Sequence, residues 1–155
     1  MAPTDTATAR RLRVPAAIWA GLIAGLAFLV IEMAMLMMMG QSPWGPPRMM
    51  GAIVLGRDVL PPPATFDLPA VAAAMMVHFP LSILYAFVLA LALERLSLWP
   101  ALLAGAVFGL AIYFINFYGF TALFPWFADA RGLGSIAGHV LYGLVLAFSY
   151  KKLAR

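Results

Sequence analysis

The stretch AAIWAGLIAGLAFLVIEMAMLMMM, residues 16–39, decides the class of the protein. Its residues are apolar or small with one exception, Glu32. About 20 such residues in a helix cross a bilayer's hydrocarbon core. A secretory signal core is shorter, about 7–15 residues, and ends at a small-residue cleavage site. This stretch runs instead into MAMLMMMGQ, so it reads as a retained transmembrane helix. Three more apolar runs follow, at 69–93, 99–124 and 133–150. The expected fold is therefore an all-α integral membrane four-helix bundle, with 1–155 as a single transmembrane domain and no separate soluble part. Composition agrees: 10% of residues are charged, against about 25% in a soluble domain.

Charge orients the bundle. Arg10, Arg11, Arg13, Arg95, Lys151, Lys152 and Arg155 fall on one side, and only Arg48, Arg57 and Arg131 on the other. The positive-inside rule then makes both termini cytoplasmic, as for a multi-pass protein of a bacterial inner membrane. The net charge of +4 is thus a matter of topology and implies no nucleic-acid partner. Trp19, Trp99 and Trp126 sit at span ends, where indoles anchor at the interface. The polar tail 1–9 is expected to lack structure. The outward loop 40–68 is rich in proline, and its segment 48–60 is apolar but too short to span, so it reads as an interfacial helix. The tight 94–98 connection makes spans two and three antiparallel neighbours.

An internal repeat is visible. Gly21-x3-Gly25-Leu26-Ala27-x3-Ile31-Glu32 aligns with Gly105-x3-Gly109-Leu110-Ala111-x3-Ile115-Asn116. His78 and His139 align likewise, each followed at the same offset by Ala-Phe, at Ala86-Phe87 and Ala147-Phe148. The chain reads as two pseudo-repeated helical hairpins, spans one–two and three–four. Such repeats tend to hold sites at their interface.

Glu32, His78, Asn116 and His139 supply one polar residue to each span, all roughly 9–14 Å below the outer boundary at 1.5 Å of rise per residue. Glu32 and Asn116 share their helix stripes with Gly21/Gly25 and Gly105/Gly109, and small-residue stripes mark close helix packing. The same glycine stripes are candidate surfaces for a homo-oligomer or for a larger membrane complex. Ser82, Tyr85 and Tyr142 extend the polar cluster along the histidine stripes. Pro80 frees the carbonyl of Met76 beside His78.

Three readings of this layer compete. The polar groups can serve as glue between helices, in a cofactor-free accessory or assembly subunit. His78 and His139 can hold haem b axially, or bind a metal ion together with Glu32. Chains of Glu, His and Tyr can also relay protons or ions, but a path must reach both faces, and the inner halves of the spans hold little that is polar beyond Ser149. The haem or metal reading, for electron transfer or metal handling, is the expectation taken forward. Copper is the first metal expected, because thioethers select Cu(I). Met33-x3-Met37 and Met35-x3-Met39 resemble the M-x3-M element of copper-transporter proteins, a resemblance of a few residues that implies Met33 and Met37 as ligands. The family's paired glycine motif is not matched as a whole. The absence of cysteine excludes disulfides, Cys-zinc sites, iron–sulfur clusters and C-x-x-C-H haem attachment. No G-x-S-x-G, H-E-x-x-H or phosphate-binding glycine loop is present, so the reading leans away from an enzyme.

The orientation is testable because the chain has no native cysteine. In intact cells an impermeant thiol reagent should label a Thr65→Cys variant and spare Thr8→Cys. The opposite pattern would refute the assignment.

Overall fold

The computed structural model describes residues 12–155; the polar tail expected at 1–9, with Arg10 and Arg11, lies outside the described residues. The chain builds α1 (Val14–Met38), α2 (Gly45–Leu55), α3 (Leu68–Leu93), α4 (Leu98–Phe114) and α5 (Leu133–Leu153). α4 continues through a π-helical turn, Ile115–Gly119, and a 3-10 turn, Phe120–Ala122. Counting that extension, α1, α3, α4 and α5 are long and apolar enough to cross a membrane, so the protein is a multi-pass four-helix membrane bundle. The helix starts follow local chemistry. Proline sits in the first turn of α1, α2 and α3, where its missing N–H costs nothing. The Asp67 carboxylate caps α3 by accepting from the amide of Ala70 at 2.8 Å.

The two hairpins of the repeat are the packing units. A Cβ added at Gly21 would lie 2.8 Å from the Cα of Ile83, and one at Gly25 would lie 2.9 Å from Ser82 Oγ. α1 therefore seats its backbone directly on α3. In the second hairpin, a Cβ at Gly105 would strike the carbonyl of Gly143, and one at Gly109 the carbonyl of His139. These are matching crossings: the alignment that pairs His78 with His139 also pairs Ser82 with Gly143. Both glycine stripes are thus buried inside the chain. The faces expected to be available for joining copies are taken up within the chain by α3 and α5.

Between hairpins the twofold breaks. α1 packs closely on α5, whereas α3 and α4 touch at only a few points. This corrects the expectation of neighbouring spans two and three: they are joined by a tight turn, but each is drawn away by its own glycine-lined partner. Side-chain size explains the difference. At the open seam Tyr85 meets Phe108, ring centroids 6.3 Å apart. The repeat-equivalent positions at the closed seam are Leu146 and Ala24, both buried in the core.

The loop ends fold back over the bundle. α2 begins and ends earlier than the 48–60 expected, and Arg57–Val59 forms a separate 3-10 turn. α2 packs on the start of α3 with Pro47, Gly51 and Ala52 buried. Arg48 pins the loop by donating to the carbonyls of Thr65 (2.8 Å) and Val59 (2.9 Å). Trp126 donates its indole N–H to the carbonyl of Met49 at 2.9 Å, tying the α4–α5 loop to α2. At the opposite end the Tyr150 hydroxyl donates to Glu94, and Lys151 donates to the carbonyl of Leu93 at 3.2 Å.

Gly109→Val should lower the stability of the purified protein by about 1–3 kcal/mol or more, the usual cost of overpacking. Gly134→Ala meets only the flexible end of Met35 at 3.4 Å and should be close to neutral. Thermal unfolding in detergent checks both, and equal midpoints would show that the α4–α5 approach is not tight.

Candidate functional site: an aromatic cavity under the loops

Where α3 and α4 part, the bundle holds a partly open cavity of about 230 Å³. Each spanning helix supplies wall: Phe28 and Glu32 from α1, His78 and Tyr85 from α3, Ile112 of α4 with Asn116 beyond it, His139 and Tyr142 from α5. The loops supply the roof through Met49, Met50 and Ile53 of α2 and through Phe120, Phe124 and Phe127. The four residues expected at one depth, Glu32, His78, Asn116 and His139, all line this one space, as do Ser82, Tyr85 and Tyr142. Asn116 lies in the π-helical turn, whose extra residue re-aims side chains; such turns are frequent at functional sites. Arg131 closes that turn, donating to the carbonyl of Phe117 at 2.7 Å with its guanidinium 4.2 Å over the Tyr118 ring.

Most of the polar groups satisfy one another. Ser82 Oγ donates to the carbonyl of Gly21 at 2.7 Å, and the Tyr142 hydroxyl donates toward Ser82, 3.0 Å from its Oγ and 3.2 Å from its carbonyl. One serine thus links α1, α3 and α5. The Tyr85 hydroxyl donates to Asn116 Oδ1 at 3.1 Å and bridges the open seam. His78 Nε2 is 3.0 Å from the carbonyl of Gly25, and His139 Nδ1 is 2.8 Å from the carbonyl of Ser135. A carbonyl only accepts, so each of those nitrogens carries the proton. In the neutral rings the lone pairs are then on His78 Nδ1 and His139 Nε2. Phe28 packs against both imidazoles, at centroid distances of 5.9 Å from His78 and 4.9 Å from His139.

Glu32 differs from the rest. It lines the cavity and makes no hydrogen bond or ion pair with any described residue. It is paired with neither His78 nor His139. Among the described residues, no three His, Cys, Asp or Glu side chains gather as a group that could hold a metal ion. Met33 is half-buried and Met37 exposed, and neither lines the cavity; the methionines that do are Met49 and Met50. Sequence reasoning missed the roof. The aromatic run FYGFTALFPWF, 117–127, was the available signal, but read as the end of a span it gives no hint that it turns back over the helices.

No protein-family model matches the chain, and no curated protein or solved structure is detectably similar to it.

Ser82→Ala should destabilise the protein by about 0.6–1.7 kcal/mol, the measured range for hydrogen bonds between membrane helices. Ser97→Ala should change little, because Ser97 is exposed and makes no side-chain capping bond. Unfolding midpoints of the two variants check this, and a Ser82 variant as stable as the Ser97 variant would remove Ser82 as the link.

Proposed function

We propose that the chain is a membrane-embedded binding protein whose ligand occupies the cavity beneath the loops. The observation that carries this is Glu32. Helix packing accounts for Ser82, Tyr85, Asn116, Tyr142 and one nitrogen of each histidine, all bonded to protein groups. It does not account for a carboxyl that costs roughly 2.5–3.5 kcal/mol at a helix centre and bonds no described residue. Ionisable groups kept within a bilayer at such a cost usually serve a ligand, ion or proton. A cofactor-free accessory subunit would have no use for that carboxyl or for the space in front of it.

Haem b and a metal ion, copper first, are the inorganic occupants that the same groups would take. The lone pairs of His78 Nδ1 and His139 Nε2 support that reading, although Glu32 does not gather with the two histidines as a third donor among the described residues. Phe28 packs on both of the imidazoles that would hold such a group. We take the membrane to be a bacterial inner membrane with both termini cytoplasmic, as the Lys and Arg distribution favours. The cavity then lies in the half of the bundle nearest the outside.

The test is to purify the protein and identify what it carries, by native mass spectrometry, metal analysis and absorption spectroscopy. A bound molecule or ion is expected, and it should be lost when Leu81→Trp fills the cavity. A Soret band abolished by both His78→Ala and His139→Ala would identify haem b. Stoichiometric copper weakened by Glu32→Gln would identify a metal. A folded protein that arrives empty, takes up neither haem nor copper, and is not labelled in its cavity by apolar photoprobes would overturn the reading.

A further inference from the structure

We infer that the occupant of the cavity is an organic cation, a small apolar amine whose charged head pairs with Glu32 and whose second N–H or O–H donor reaches an imidazole. The inference rests on the cavity being a binding site, and it names the class of ligand from the chemistry of the wall.

The first observation is the inventory of donors and acceptors. Every hydroxyl proton on the cavity wall is directed at protein: Tyr85 to Asn116, Tyr142 toward Ser82, and Ser82 to Gly21. Each histidine has its N–H on a backbone carbonyl. The residues that line the cavity therefore keep a set of acceptors without a protein partner among the described residues: the Glu32 carboxyl, His78 Nδ1 and His139 Nε2. The Asn116 amide N–H2 is the single side-chain donor left without a partner on this wall. An acceptor-rich wall selects a ligand rich in donors, and a carboxylate selects one with positive charge.

The second observation separates an organic cation from a metal ion. The three acceptors line one space, yet no three metal-binding side chains gather around a single point among the described residues. A bare ion needs its donors at one centre. An extended molecule does not, because it carries its own spacing between groups.

The third observation is the wall itself. Phe28, Phe117, Phe120, Phe124 and Phe127 surround the acceptors. Aromatic faces attract ammonium groups through the ring quadrupole and do so more strongly when the cation is desolvated. The same rings give an apolar tail its contact. At about 230 Å³ the space lies below the roughly 300–1,000 Å³ typical of drug-sized pockets. The ligand is accordingly small. Its charge offsets that of Glu32, so neither group remains unpaired in an apolar setting.

Photolabelling of the purified protein in lipid nanodiscs tests the class of ligand. Three alkyl diazirines of equal chain length would be used, ending in a primary amine, a hydroxyl or a carboxylic acid, with the labelled residues mapped by mass spectrometry. The amine probe should label the wall around Val77 and Leu81 most strongly. Glu32→Gln should weaken its labelling by about 10- to 100-fold, the range expected for losing a hydrogen bond to a charged group. The hydroxyl probe should be unaffected by that change, and Glu32→Asp, which keeps the charge, should retain the preference for amine. Unchanged unfolding midpoints would confirm that both variants fold. Equal labelling by all three probes, or an amine signal indifferent to Glu32→Gln, would overturn the organic cation and leave the cavity as a binding site. Stoichiometric haem or metal that blocks the amine probe would overturn it in favour of a coordinated ion. No cavity labelling by any probe would overturn the binding reading itself.

Discussion

Helices in a bilayer gain little by hiding apolar surface from one another, because lipid is as apolar as leucine; they associate where backbones approach closely. In this chain that approach occurs at Gly21 and Gly25 against α3, and at Gly105 and Gly109 against α5. Everything else follows from which helices these glycines join. They bind each hairpin into a unit and leave the contact between hairpins to larger side chains. On one side Ala24 and Leu146 pack into the core. On the other Tyr85 and Phe108 meet edge to face and hold α3 off α4. The cavity is the space left by that one asymmetric seam.

The repeat also separates two kinds of polar role. Equivalent positions carry Ser82 in the first hairpin and Gly143 in the second. The serine holds α1, α3 and α5 together through hydrogen bonds. The glycine lets backbone meet backbone and needs none. The two histidines diverge in the same way. His78 reaches across its hairpin to Gly25, while His139 bonds Ser135 one turn back on its own helix. Their free nitrogens nevertheless line the same space. Glu32 and Asn116 are the third equivalent pair; here Asn116 is bonded, whereas Glu32 has no partner among the described residues. Of these equivalent pairs, only the Glu32 and Asn116 pair leaves one member without a hydrogen-bond partner among the described residues.

The loops complete the site rather than merely connecting spans. Arg48, Arg57 and Arg131 count in the sequence only as charges that orient the chain. In the fold Arg48 holds carbonyls of its own loop, Arg57 lies 5.5 Å over the Trp126 ring, and Arg131 closes the π-helical turn. These three cations therefore fasten the roof over the cavity, so the space is shaped as much by loop chemistry as by helix packing.

Much of this architecture was legible from residues alone. The four spans follow from run length and the scarcity of charge, because crossing a hydrocarbon slab constrains each helix separately. The hairpin repeat and the depth of Glu32, His78, Asn116 and His139 follow from spacing, because rise per residue is nearly constant. What spacing could not supply was contact across the bundle. The glycine stripes were equally consistent with joining two copies, and only the packed structure showed them closed within one chain. The Met33 and Met37 motif pointed to a ligand set, yet the fold lines the cavity with Met49 and Met50, from the loop helix whose presence the sequence signalled but whose contact with the cavity it did not. The carboxyl without a partner was also invisible in the sequence, because whether Glu32 pairs with a histidine depends on the relative rotation of α1, α3 and α5. Length, polarity and depth are properties of single helices and can be read along the chain; pairing, the open seam and the unpartnered carboxyl are relations between helices, which only tertiary packing decides.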